Sequence, residues 1–153
     1  MLKEGDKAPS FSLPSDKGET ISLKDLKGKT VVLYFYPKDM TPGCTIEAHN
    51  FQRDQAQYDK KNAAIVGVSV DPVDSHVEFC TKESITFRLL ADVNHEVVKK
   101  YASTQKFGNN EVAARNTFLI DPKGTVRKVY TKVDPNPHSA EVLAALTELQ
   151  KGS

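Results

Sequence analysis

Three short runs, residues 31–36, 65–70 and 117–120, are hydrophobic almost without interruption rather than at alternate positions. They are rich in β-branched and aromatic residues, the composition of central strands covered on both faces. Between them the pattern turns helical. Residues 41–58 carry Glu, Ala, Gln and Asp and, after Gly43, neither Pro nor Gly. A second helix is predicted from Asp71 as N-cap, with Pro72 at the first helical position, to about Glu83. A third begins near Asn94 and sets Val97, Val98 and Tyr101 at helical spacing. The last, residues 139–150, repeats Val142, Leu143, Leu146 and Leu149 as an amphipathic stripe.

Two turn signals complete the order of elements. Residues 12–18, between short apolar pieces, predict an N-terminal β-hairpin. Asp121-Pro122-Lys123-Gly124 joins 118–120 to 126–133, so these strands should pair antiparallel. The expected fold class is α/β, with a mixed central sheet, helices on both faces and the hairpin as an extension, in a single domain over 1–153.

Composition narrows the function. A chain of 153 residues supports one domain with a substantial core. The 21 basic and 20 acidic residues nearly cancel, which argues against a dedicated nucleic-acid binder. No apolar run approaches the roughly 20 residues that span a bilayer. Lys3, Glu4, Asp6 and Lys7 stand where an export signal needs its apolar segment, so a cytoplasmic location is expected, with no membrane partner. Two cysteines are too few for a disulfide scaffold, and in a reducing compartment such a pair is more often catalytic or metal-binding.

The chemistry concentrates where the first strand meets the first helix. With Thr41 as N-cap, Pro42 and Gly43 take the first two helical positions, and Cys44 falls at the third. Unpaired backbone N–H groups and the positive end of the helix dipole favour a thiolate there. A free thiol titrates near ~8.5, and such surroundings bring it down to roughly 3.5–7.5. A cysteine can also be just a small buried apolar residue. The carboxyl edge of a central strand, where open α/β sheets bind ligands, favours the reactive reading.

Pro37-x3-Thr41-x2-Cys44 resembles the active-site signature of the peroxiredoxins. The longer string Tyr36-Pro37-Lys38-Asp39-x-Thr41-Pro42-Gly43-Cys44-Thr45-x-Glu47 is similar to the bacterioferritin comigratory protein, or PrxQ, subfamily. The likeness continues through Gly5-Asp6-Lys7-Ala8-Pro9-x-Phe11, Val68-Ser69-Val70-Asp71 and Arg115-Asn116-Thr117-Phe118-Leu119-Ile120-Asp121-Pro122-x-Gly124. It implies a thioredoxin-like fold and a cofactor-free, metal-free thiol peroxidase for hydrogen peroxide and organic hydroperoxides. Cys44 would be the peroxidatic cysteine, oxidised to a sulfenic acid. Pro37 would shield the thiolate. Thr41 would offer its hydroxyl to the thiolate or the peroxide, unless that hydroxyl caps the helix instead. Arg115 would lower the thiol pKa and polarise the O–O bond, against the plain alternative of a surface arginine paired with a carboxylate. Glu47 would hold Arg115, or be only a solvated first-turn glutamate.

Many members of the subfamily carry a resolving cysteine five positions after the first, where this chain has His49. Its only other thiol is Cys80, 36 positions on, a spacing that resembles the branch with an intramolecular disulfide to the next helix. The resolving role is the expected one; Val73, Val77 and Cys80 share a helical face on this reading, so the alternative is a core Cys80 in a one-cysteine enzyme using an external thiol. Cys44, Cys80, His49 and His76 could in principle bind zinc, but neither pair has a knuckle spacing. His95 and His138 read as surface residues near helix starts. A thioredoxin-like disulfide reductase would want Cys-x-x-Cys, and Thr45-Ile46-Glu47 follows Cys44. The expected partners are a hydroperoxide and a thioredoxin- or glutaredoxin-type reductant. The absence of a long extension beyond Ser153 suggests a monomer or weak dimer rather than a decamer.

Overall fold

The computed structural model describes residues 2–151. The 31–36 run becomes strand β3 (Thr30–Phe35), after the hairpin β1 (Ser12–Pro14) and β2 (Thr20–Ser22). The second and third runs become β4 (Ala63–Ser69) and β8 (Thr117–Ile120). With β5 (Arg88–Ala91) and β9 (Val126–Tyr130) they form one sheet in the order β5-β4-β3-β8-β9. β3, β4 and β5 run parallel, while β8 is antiparallel to both β3 and β9. The expected mixed sheet is therefore present, and the turn at Asp121 does join antiparallel neighbours.

Every residue of β3 is buried, because both sides of the sheet are covered. Side-chain alternation splits its contribution. Val32, Tyr34 and Tyr36 enter one core with Cys44, Ala48 and Phe51 of α1 (Pro42–Arg53), and with Phe79 and Cys80 of α3 (Val73–Glu83). Tyr58 of α2 (Gln55–Lys60) and Val142 and Leu146 of α5 (His138–Lys151) complete that layer. Val31, Leu33 and Phe35 enter the other core, with Phe11, Phe118 and Val97 and Val98 of α4 (Glu96–Lys100).

Several expectations change. The 41–58 helix breaks at Asp54, whose carboxylate is held at 2.8 Å by Ser139 Oγ and by Arg53. The break lets α2 turn and dock Tyr58 under the start of α5, where its hydroxyl donates to the Ser139 carbonyl at 2.9 Å. Asp71 does not cap α3; Pro72 is the N-cap, and the Asp71 side chain is engaged elsewhere. The buried face of α3 is His76, Phe79 and Cys80, while Val77 is 43% exposed. Strand β5 and the hairpin β6 (Thr104–Phe107) with β7 (Asn110–Ala113) are additional elements.

Candidate active site

β3 delivers the chain to the carboxyl edge of the sheet, and residues 36–41 connect it to α1. Asp39 anchors this loop. Its buried carboxylate accepts from the Tyr36 hydroxyl at 2.6 Å, the Ser75 hydroxyl at 2.8 Å and His76 Nδ1 at 2.6 Å. Its backbone N–H donates to Asp71 Oδ2 at 2.8 Å. The buried His76 ring also reaches the Leu90 carbonyl through Nε2 at 3.0 Å. Both ring nitrogens face acceptors, and the buried Asp39–His76 contact ties the loop to α3. This anchorage sits beside Met40, whose φ of 65° costs a non-glycine residue roughly 1–2 kcal/mol. The reversal at Met40 leads into Thr41 in extended conformation at the N-cap.

Cys44 then falls third in α1, as expected, and is almost wholly buried. Arg115, in the connection between β7 and β8, reaches it from the side. Arg115 Nη2 lies 3.4 Å from Cys44 Sγ while Nη1 donates to Glu47 Oε1 at 2.8 Å. One planar guanidinium thus bridges the sulfur and the carboxylate, which sit three residues apart on one face of α1. Glu47 is 1% exposed, so it is not a solvated first-turn glutamate, and Arg115 is not a surface arginine. Thr41 makes no side-chain cap; its hydroxyl donates to the Lys38 carbonyl at 2.8 Å. Pro37 is half-buried and lines a shallow groove with Val70, His95 and Phe107.

The expected low thiol pKa is not what the closed site gives. Burial pushes the Cys44 thiol above its ordinary value, and the Thr41 hydroxyl, Arg115 and the Lys38 backbone pull it down without overtaking that effect. Burial would also lower Arg115, but Cys44 and Glu47 hold it above its ordinary value, so it stays cationic.

Cys80 lies on the buried face of α3, in the same core layer as Cys44, and both thiols are free. Burial, then the neighbouring Asp16 carboxylate, pushes Cys80 up to about 12. The zinc set does not assemble: His49 pairs instead with Glu83, the last residue of α3, at 2.8 Å. Among the described residues, one other group of possible ligands comes together, Asp39, Asp71 and His76, within 4.8 Å of one another. Its atoms are already engaged in the hydrogen bonds given above. His138 is buried rather than exposed, with Nε2 2.8 Å from Thr117 Oγ1, and burial lowers its pKa.

Gly43 has a role that the sequence signals only as a small residue in the first turn. A Cβ built there would stand 3.0 Å from Arg115 Nη2. Gly43→Ala should stabilise α1 by about 0.5–1 kcal/mol through helix propensity, yet displace the guanidinium from Cys44. We expect a higher Tm together with peroxide consumption slower by about tenfold, the size of a weakened charge-assisted contact. An unchanged rate would mean that Arg115 adjusts freely.

Glu47 makes stability depend on pH. Burial raises it from 4.5 to about 7 against the pull of Arg115. Between those values the folded protein keeps a proton that the unfolded chain has released, so stability falls as pH rises through that window. The loss is on the order of 3 kcal/mol. Urea unfolding of the wild type and Glu47→Gln across this range should show the wild type losing ground with rising pH. The His138 contribution, of opposite sign, cancels in the comparison. A flat difference would show that Arg115 keeps Glu47 ionised throughout.

A cysteine at a helix N-terminus, gripped by an arginine that a buried glutamate orients, is a candidate thiol site, and the chain that carries it matches known proteins over nearly its whole length. The AhpC/TSA family profile matches residues 4–129. A putative peroxiredoxin Bcp of Coxiella burnetii is 44% identical over 149 residues, covering 95% of this chain and 99% of that protein. Peroxiredoxin Bcp of Bacillus subtilis is 41% identical over 98% of both chains. The crystal structure of a cysteine-to-serine mutant of Xylella fastidiosa PrxQ superposes with a TM-score of 0.93 at 31% identity, over 98% of each chain. This chain belongs to the AhpC/TSA family and is a peroxiredoxin of the Bcp/PrxQ type, a thiol peroxidase on a thioredoxin-like fold.

Proposed function

We propose that Cys44 reduces hydrogen peroxide and organic hydroperoxides and that Cys80 resolves the product into an intramolecular disulfide. The observation that carries the first half is the Arg115 bridge between Cys44 Sγ and Glu47. In the attack, the Cys44 thiolate takes the terminal peroxide oxygen, the O–O bond breaks, and the departing alkoxide or hydroxide is protonated to alcohol or water. Arg115 faces the charge that develops on the oxygens, the Thr41 hydroxyl turns to it from the Lys38 carbonyl, and Pro37 helps exclude water. The raised thiol pKa of the closed site leaves the Thr41 hydroxyl and the Arg115 guanidinium to offset burial when the thiolate forms.

The second half rests on Cys80 being the other thiol of the chain and lying in the same core layer. A disulfide needs Cβ atoms about 3.5–4.5 Å apart, and packed helices hold their axes about 8–10 Å apart. The first turn of α1 or the middle of α3 must therefore open on oxidation. The disulfide would be reduced by a thioredoxin- or glutaredoxin-type dithiol, in the cytoplasm.

Intact mass and thiol titration after one equivalent of peroxide test the scheme. We expect a loss of two hydrogens and of both thiols within the first turnover. A gain of one oxygen with one thiol left would identify a one-cysteine enzyme. Retention of both thiols would defeat the assignment of Cys44.

A further inference from the structure

Among the described residues, two buried side-chain atoms make no hydrogen bond: the Tyr34 hydroxyl and Glu47 Oε2. An unpartnered buried donor and an unpartnered buried acceptor are both destabilising, and native proteins keep few of them. Here Arg115 bridges Glu47 to the reactive sulfur, and Tyr34 packs in the same core cluster as Cys44. The Glu47 oxygen facing Arg115 shares its guanidinium with Cys44, so the unpartnered Oε2 belongs to a carboxylate held beside Sγ.

Tyr34 reaches the same place from β3. Its ring lies 4.8 Å, centroid to centroid, from Phe51, one helical turn after Glu47 on α1. On its other side is Gly67 of β4, where a Cβ would come within 2.9 Å of ring atoms Cε1 and Cζ. Gly67 is the cross-strand partner of Tyr34, so the absence of a side chain there is what lets the ring lie flat across β4. The ring is fixed in the core layer that holds both thiols. After burial, the charges of Glu47, Cys44 and Cys80 act most strongly on the hydroxyl, in that order.

We propose that Tyr34 and Glu47 together form a receptor for the hydroxyl group of the Cys44 sulfenic acid. Oxidation adds to the sulfur one acceptor oxygen bearing one donor hydrogen, the complement of the two unpartnered atoms. The Tyr34 hydroxyl donates to the sulfenic oxygen, and the sulfenic O–H donates to Glu47 Oε2 while that carboxylate is ionised. Held this way the product stays protonated. The sulfenate anion, which would attack a second peroxide and become sulfinic acid, is disfavoured. The intermediate then waits for Cys80. When the Cys80 sulfur attacks, the S–O bond breaks with its electron pair on oxygen. The oxygen leaves as water, taking up the proton that the Cys80 thiol has lost.

This inference rests on Cys44 being the peroxidatic residue, and the test separates the two. Cys80→Ser, alone and with Tyr34→Phe, is melted reduced and after one equivalent of hydrogen peroxide, and the oxidised residue is located by peptide mass after trapping with a 1,3-dione. In the reduced state Tyr34→Phe should melt at the same or a higher temperature, because it removes an unpartnered hydroxyl. In the sulfenic state it should melt lower than its parent. With excess peroxide it should also pass to sulfinic acid about three- to tenfold faster, the size of one lost hydrogen bond. Equal Tm shifts in both states, or an unchanged over-oxidation rate, would overturn the receptor and leave the assignment of Cys44 intact. No sulfenic acid at Cys44 in the Cys80→Ser parent would overturn both.

Discussion

Cys44→Ser is expected to bring hydroperoxide consumption down to the uncatalysed background while the protein keeps its fold. The hydroxyl nearly matches the thiol in volume, so the pocket between α1 and β3 stays filled, and Arg115 keeps its ion pair with Glu47. What disappears is the nucleophile, since a serine hydroxyl is far harder to ionise than a thiol and a peroxide oxygen reacts with sulfur. Stopped-flow mixing with hydrogen peroxide, with circular dichroism as a check on folding, makes the comparison. A folded mutant with more than a few per cent of wild-type turnover would move the chemistry away from Cys44. Reduced stability without Arg115–Glu47 disruption would be equally informative, because the sulfur would then be a packing element rather than a reagent.

The position of Cys44 was legible because it depends on local features: a continuous apolar run, a Thr-Pro-Gly bend and a helix behind it. The central strands were legible for the same reason, their burial on both faces leaving an unbroken hydrophobic signature. The β6–β7 hairpin was not, because all four residues of β6 are exposed and nothing in their pattern marks a strand. The break at Asp54 has no Gly or Pro to announce it and is fixed by Ser139, far along the chain. His138 reads as a surface residue in sequence and His76 as a conceivable zinc ligand beside Cys80, and only tertiary packing shows both buried. The Asp39–His76 pair joins residues that no spacing rule connects. The depressed thiol pKa anticipated from the helix terminus was outweighed by desolvation, which depends on how completely the site closes.

Cys80→Ser is expected to carry out the first oxidation but to lose turnover driven by a thioredoxin-type dithiol, to below about a hundredth of wild type. Without an internal thiol, the sulfenic acid persists and runs on to sulfinic acid under excess peroxide. Coupled NADPH oxidation with thioredoxin and its reductase measures the first effect, and mass spectrometry of the Cys44 peptide the second. Wild-type turnover in this mutant would make Cys80 a core residue and the enzyme a one-cysteine type. In the wild type, amide exchange should rise on oxidation in residues 41–47 or 76–82. Both segments are tied down in the reduced protein, α3 by Asp39 near its start and by His49 at its end. Equal protection in both redox states would show that the thiols meet without such opening.

The sheet itself bears on how often this can happen. Val32, Tyr34 and Tyr36 face the layer that contains both thiols, whereas Leu33 and Phe35 face a layer that contains neither. Helices α1 and α3 can loosen and re-form on one side while Phe11, Val98 and Phe118 remain interlocked on the other. On the proposed Cys44–Cys80 disulfide route, each catalytic cycle would be a fluctuation of half the molecule. The untouched half preserves strand register throughout, so the displaced helices return to a fixed template and need no fresh conformational search.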